Sequence, residues 1–199
     1  MRSGFGNRYS ALLLFSVLIG VAVPVAHARN SSTSASCGKT KVHLSNPLYL
    51  TTSIGIVAVE LPQGWVLDKT HKNPFFLVRS GENYEKARTL MYINIEHREV
   101  PFTIAVKNDE RSFQASCRES RIQNLAGMEI LERGCENKTQ MFYCDKKQRA
   151  DVDVATKISL GGLLVNIVLS TDNKAETARY WNDYEFLLQH LALVASLSG

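Results

Sequence analysis

The sequence predicts an α+β fold built on an antiparallel sheet, and three patterns predict it. First, Val152, Val154, Ile158 and Leu160 alternate with Asp151, Asp153, Lys157 and Ser159, and Gly161-Gly162 then leads into the apolar run 163–169. A Gly-Gly link between two strand-like runs marks a tight hairpin, because both positions take positive φ without a Cβ to clash. Second, helical spacing occurs twice, within 103–119 and again after Asn173. Third, the order is strands, a helix, more strands and a terminal helix, which suits antiparallel pairing rather than βαβ crossovers.

The N-terminus reads as an address. Arg2 and Arg8 precede a run, 11–23, that is apolar apart from Ser16 and Gly20; Pro24 breaks it and Ala26-His27-Ala28 follows. A basic start, a short apolar core and an A-x-A site predict a secretory signal cleaved after Ala28. At about 1.5 Å per residue that core reaches about 20 Å, short of the ~30 Å hydrocarbon layer, so no stable membrane anchor is expected after cleavage. The expected organisation is a signal peptide at 1–28, a flexible Ser/Thr/Ala-rich lead-in at 29–41 and a single domain at 42–199. Cleavage leaves 171 of the 199 residues and removes two of 23 basic side chains against 19 acids, so the net charge falls from +4 to +2. With no basic stripe carrying interleaved aromatics, no nucleic-acid partner is expected, and a secreted or periplasmic monomer is.

Along the domain, 55–61 is β-branched and strand-like, stopped by Pro62-Gln63-Gly64 with Trp65 just beyond. Residues 75–79 form a second apolar run, broken at 80–83. In 90–96, Met91, Ile93 and Ile95 alternate with Tyr92, Asn94 and Glu96, the period of a half-buried strand. Phe102, Val106, Phe113 and Cys117 then lie at helical offsets, and a helix is expected somewhere within 103–119. Residues 128–132 and 140–144 read as strands around a turn at 136–139. The 151–160 strand is expected to be one-sided, and 163–169, apolar on both faces, to be central. Asn173 and Glu176 stand three apart as a helix-start pair, and Ala178, Trp181, Tyr184, Leu188, Leu191 and Ala195 continue as the stripe of one helix of about 20 residues.

This chain resembles the Mog1/PsbP-like family, including its small exported bacterial-type members. The resemblance rests on 56–65, Ile-Val-Ala-Val-Glu-Leu-Pro-Gln-Gly-Trp, as an opening strand ending in a Pro-x-Gly-Trp turn. It continues through the mid-chain helix, the Gly-linked hairpin and a final helix with Tyr180, Trp181 and Phe186, spanning 42–198. It implies an αβα sandwich around a central antiparallel sheet, and binding or accessory roles such as those of a Ran-GTPase partner and an extrinsic photosystem II subunit. No partner-binding motif carries over residue by residue, and a signal peptide is incompatible with a nuclear role.

Four cysteines, Cys37, Cys117, Cys135 and Cys144, survive cleavage, and an even number in an exported chain predicts two disulfides. Three connectivities are open; Cys135 with Cys144 and Cys37 with Cys117 is the preferred arrangement, the first flanking a short segment. The spacing has no C-x-x-C, so no zinc site is expected. The histidines, His27, His43, His71, His97 and His190, form no H-E-x-x-H motif, and Glu96 and His97 point to opposite strand faces. Asp151 and Asp153 share a face and keep the polar side of the hairpin wet. Residues 170–174, Ser-Thr-Asp-Asn-Lys, read as a helix entry rather than a Ser–Lys pair. Asn30-Ser-Ser and Asn137-Lys-Thr match glycosylation acceptors.

No catalytic, cofactor or metal residue is assigned. The expected function is an exported, non-catalytic binding or accessory protein with an unknown protein partner. The alternatives are a small extracytoplasmic hydrolase using Asp151, Asp153 or His97, and a small-ligand carrier with an apolar cavity between the final helix and the sheet.

Overall fold

The structure, a computed structural model, describes residues 44–125, 135–146 and 149–196. The signal and lead-in assignments, the strand expected at 128–132 and the Asn30 acceptor lie outside the described residues. Among the described residues two antiparallel sheets form. The smaller has the order β1-β2-β10, from Leu48–Thr51, Gly55–Val59 and Leu191–Ser196. The larger runs β3-β4-β5-β9-β8-β7-β6, from Trp65–Leu67, Phe75–Arg79, Leu90–His97, Leu163–Thr171, Arg149–Leu160, Asn137–Lys146 and Ser120–Leu125. The helices are α1 (Phe102–Ser116), α2 (Lys174–Arg179) and α3 (Trp181–Gln189).

The Gly-linked hairpin sits at the centre of the large sheet. Gly161 and Gly162 take φ of 51° and 89°, and Leu160 pairs with Leu163 across the turn. Its period-2 pattern sorts side chains to two faces. Val154, Ile158 and Leu160 join Val165, Ile167 and Leu169 on one face, with Met91, Ile93 and Ile95 of β5. Ala155 and Val168 lie on the other, with Phe76, Tyr92 and Phe142.

Consecutive residues of β8 show what covers each face. Thr156 Oγ1 lies 2.7 Å from the Tyr184 hydroxyl of α3, while the Lys157 ammonium is 2.7 Å from Asp109 of α1. The two helices therefore stand on opposite faces. The small sheet shares the α3 side, where Leu50, Val57, Val59 and Leu191 join the same core as Val165 and Tyr184. Pro101, with its φ fixed at −53°, leads into α1, which buries Phe102, Ala105, Val106 and Phe113.

Several expectations change. The 151–160 strand is not one-sided: Lys157 and Ser159 are buried because α1 lies over their face. Strand β5 is covered on both faces through Ile93, with Leu90 and Tyr92 in the cluster that holds Phe76, Ala87 and Phe113. Residues 137–139 are not a turn but the start of β7, paired with 156–158 of β8. The missing partner of β7 is β6 at Ser120–Leu125. The terminal helix breaks at Tyr180 and stops at Gln189, and Leu191–Ser196 becomes β10 against β2. The helix start is as expected, with Asn173 Oδ1 accepting from the Glu176 backbone N–H at 3.0 Å.

The disulfide arrangement also differs. Cys117, at the C-terminus of α1, is bonded to Cys144 of β7, which rules out the preferred pairing of Cys135 with Cys144 and of Cys37 with Cys117. Cys117 leaves the helix onto the same sheet face as Cys144, and 27 residues of separation do not oppose that approach. Cys135 is also disulfide-bonded; Cys37 lies outside the described residues.

Candidate functional site

The Pro-x-Gly-Trp turn builds one wall of the site. The Trp65 N–H donates to the Pro62 carbonyl at 3.1 Å, and Gly64 closes the turn at φ 79°. A Cβ at Gly64 would lie 2.9 Å from Arg79 Nη2, so glycine provides both the backbone angle and room for that guanidinium. Trp65 pairs with Arg79 across β3 and β4, and its ring meets Tyr180 edge-on at 5.6 Å. Its Nε1–H donates to Asp183 at 2.7 Å. The Arg79 guanidinium lies 5.5 Å from the Trp65 ring centre and 5.7 Å from that of Tyr180, and 3.6 Å from Asp183. Arg179 sits over Tyr180 at 5.2 Å. Cation–π and charge-assisted contacts thus lock the turn to the joint between α2 and α3.

The other wall is the loop at 80–89, held by contacts of its own. The Tyr84 N–H donates to Asp68 Oδ2 at 3.2 Å, and Lys86 N–H to Asn83 Oδ1 at 3.1 Å. The Tyr84 ring packs on Phe76 at 4.4 Å and His71 at 4.7 Å, and Ala87 is buried below. Asp68 also accepts from the Thr70 hydroxyl, and this hydrogen bond holds its carboxyl below the ordinary value; burial pushes the Tyr84 phenol up, reinforced by Asp68 and Glu85.

Between these walls lies a groove of about 380 Å³. Arg79, Lys86, Arg88 and Arg179 line it with Glu82, Asp172 and Glu176, beside Thr89, Asn173 and Tyr180. Arg79 is engaged by Asp183, and Arg179 lies 3.7 Å from Glu176. Lys86 and Arg88 have no carboxylate within ion-pair distance among the described residues. Thr89 is only 5% exposed, and its hydroxyl has no hydrogen-bond partner among the described residues. The groove is therefore a preformed charged surface with unused donors.

The residues of the hydrolase alternative do not converge. His97 pairs with Leu163 at one end of β9, whereas Asp153 pairs with Ser170 near the other. Seven strand residues separate those positions by about 23 Å. Asp151 and Asp153 stand opposite Cys144 and Phe142, on the α1 face. Among the described residues no group of three His, Cys, Asp or Glu side chains could hold a metal ion. His71 belongs to the Tyr84 stack, and His190 stacks on Phe186 at 3.9 Å. Lys174 lies over the Tyr143 ring at 4.7 Å, outside any Ser–Lys pair. The Asn137 amide donates to the Cys135 carbonyl at 3.2 Å, and Thr139 of the same acceptor motif is buried against Thr156. Between the final helix and the sheet, where a carrier's apolar cavity is expected, Tyr184, Leu187 and Leu188 are buried in the core.

No family model matches the sequence, and no curated protein does either. Solved structures do resemble it. LpqN of Mycobacterium tuberculosis, a protein involved in cell envelope biogenesis, is 8% identical with a TM-score of 0.52, covering 75% of this chain and 90% of that one. The fold is Mog1/PsbP-like. The cyanobacterial PsbP of Synechocystis is 14% identical (TM-score 0.48; 79% and 97% covered). The Ran-binding protein Mog1p of Saccharomyces cerevisiae is 11% identical (TM-score 0.43; 67% and 80% covered). At these identities the Mog1/PsbP-like likeness concerns architecture, and the site stands on its own residues. Sequence reading singled out Trp65, Tyr180 and Trp181 but not the groove. The signal available was three cations, Arg79, Lys86 and Arg88, within ten residues.

Proposed function

We propose that this chain is an exported, disulfide-stapled accessory protein that works by binding another protein, on an αβα sandwich with a central antiparallel sheet. The observation that carries this reading is the braced groove. Trp65, Arg79, Tyr180 and Asp183 fix one wall and the Tyr84 stack fixes the other, while charged groups remain open to solvent. Rigid walls with unused donors lower the ordering cost of recognition. The catalytic alternative has its acids and His97 at opposite ends of the sheet. Export with cleavage after Ala28, the single domain at 42–199 and the monomeric state belong to the same proposal. A disulfide between Cys117 and Cys144 fits an oxidising compartment, and among the described residues no helix is long and apolar enough to cross a membrane.

Two measurements test it. Intact mass of the exported protein without reductant should match 29–199 less four hydrogens; retention of residues 1–28 or free thiols would overturn the export reading. The oxidised protein, used as bait in the host's extracytoplasmic extract, should retain a stoichiometric protein partner. Failure across a range of salt would overturn the accessory reading.

A further inference from the structure

We propose that the groove between the 80–89 loop and α2 takes the carboxylate side chains of an acidic segment on the protein partner. The proposal rests on the accessory reading and names the chemistry by which the partner is recognised. Its basis is the difference between the groove's paired and unpaired groups. Asp183 engages Arg79 and Glu176 engages Arg179, so those two guanidinia are partly neutralised and act as walls. Lys86 and Arg88 lie two residues apart on the pinned loop and have no acidic partner among the described residues. A planar guanidinium fork matches a carboxylate in two parallel hydrogen bonds, and the adjacent ammonium adds a third donor.

Thr89 supplies an independent observation. Its side chain is buried and lines the groove, and its hydroxyl has no hydrogen-bond partner among the described residues. The hydroxyl oxygen itself still touches solvent in the groove, so it is free to donate to an arriving carboxylate beside Lys86 and Arg88. The donor groups come from Lys86, Arg88 and Thr89, within four consecutive positions held in place by Asp68, Asn83 and the Tyr84 ring. The complementary group is therefore a compact oxyanion on a chain that can enter an open groove.

The interspersed acids decide between kinds of anion. Glu82, Asp172 and Glu176 line the same groove. A phosphate-dense surface, membrane or nucleic acid, would press repeating negative charge against all three at once. A peptide segment places one or two carboxylates at Lys86 and Arg88 and turns neutral or basic positions toward the acids. Mixed charge on the wall thus selects for a partner patterned in both signs.

The test is a titration of the ¹⁵N-labelled, oxidised exported protein with an end-blocked pentapeptide, Gly-Glu-Gly-Glu-Gly, and its Gln-for-Glu counterpart. The Glu peptide should shift the Lys86, Arg88, Thr89 and Arg179 resonances saturably, and the Gln peptide should not. Affinity should fall several-fold between about 50 mM and about 300 mM salt. The double substitution Lys86→Gln/Arg88→Gln should weaken binding by about tenfold or more. Thr89→Val should weaken it and Thr89→Ser restore it, with all variants keeping the native urea midpoint. Equal shifts from both peptides, full binding by the double variant, or equal affinity for inorganic phosphate or phosphatidylglycerol vesicles would each overturn the proposal. If the double variant still retains the same protein from the extract, the groove proposal falls and the accessory reading stands. If the Glu peptide binds as expected and no protein is retained, the accessory reading falls and the carboxylate site stands.

Discussion

Lys157 is the most deeply placed ammonium of the large sheet among the described residues, with a side chain 8% exposed and its charge 2.7 Å from Asp109, itself 30% exposed. Replacing Lys157 with Met keeps the stem and removes the charge, leaving the Asp109 carboxylate between α1 and the sheet without its cation. Breaking such a pair costs about 3–5 kcal/mol, and the partial exposure of Asp109 places this case near 3 kcal/mol. With a urea slope of about 2 kcal/mol/M, the midpoint should fall by about 1.5 M. Asp109→Asn should cost more, because the stranded group is then the more deeply buried ammonium. The double substitution Lys157→Met/Asp109→Leu should return to within about 1 kcal/mol of the native protein, since an apolar pair replaces two desolvated charges. Burial raises the Asp109 carboxyl above its ordinary value of 3.8, opposed by Lys157. A raised folded value means that the folded state holds the proton more tightly. This contribution is complete below 3.8 and is lost as pH rises through the raised value, so Asp109 does not drive acid unfolding. Urea melts of the four proteins at neutral pH decide the matter. A double variant as unstable as Lys157→Met would refute the reasoning, because the two charges would then not be coupled.

Other predictions follow from the same geometry. Replacing Cys117 and Cys144 by Ala releases a loop spanning 27 positions and should lower stability by about 3.5 kcal/mol in urea melts under oxidising conditions. Peptide mapping should then find the remaining cysteines, Cys37 and Cys135, linked to each other. Gly55→Ala would place a Cβ 2.5 Å from Leu163 Cδ1 and 2.9 Å from the Ala195 carbonyl, so it should destabilise by about 1–3 kcal/mol, read as a lower Tm. The Thr70 hydrogen bond lowers the Asp68 carboxyl, so its contribution is present above the ordinary value of 3.8 and lost as pH falls through the lowered one. An NMR titration should place the Asp68 inflection below 3.8, and Thr70→Ala should move it up.

Features governed by neighbours in sequence were legible. Gly161-Gly162, the Asn173 cap and the α1 stripe each depend on residues a few positions apart, and each stands where the pattern placed it. Features set by distant partners were not. Residues 191–195 continue the apolar helical stripe, yet they pair with β2, whose second edge needs a strand. Lys157 and Ser159 read as solvent-facing because nothing nearby in sequence shows that Asp109 and α1 cover them. The cysteine pairing depended on where α1 ends relative to β7, which spacing does not encode. The groove joins residues 79–89 to 172–180, and its chemistry became visible only once the unpaired cations and the Thr89 hydroxyl were located.

The small sheet also sets the timing of folding. Strand β2 is flanked by β1, the first strand described, and by β10, the last. Until residues 191–196 are in place, β2 has one bare edge and the core around Val57 and Val59 lacks Leu191. A chain made N-terminus first thus leaves the small sheet unfinished until residues 191–196 arrive. Such non-local closure slows folding relative to a chain of local contacts. The pairing that makes β10 hard to foresee is therefore also the last one that a chain made N-terminus first can close.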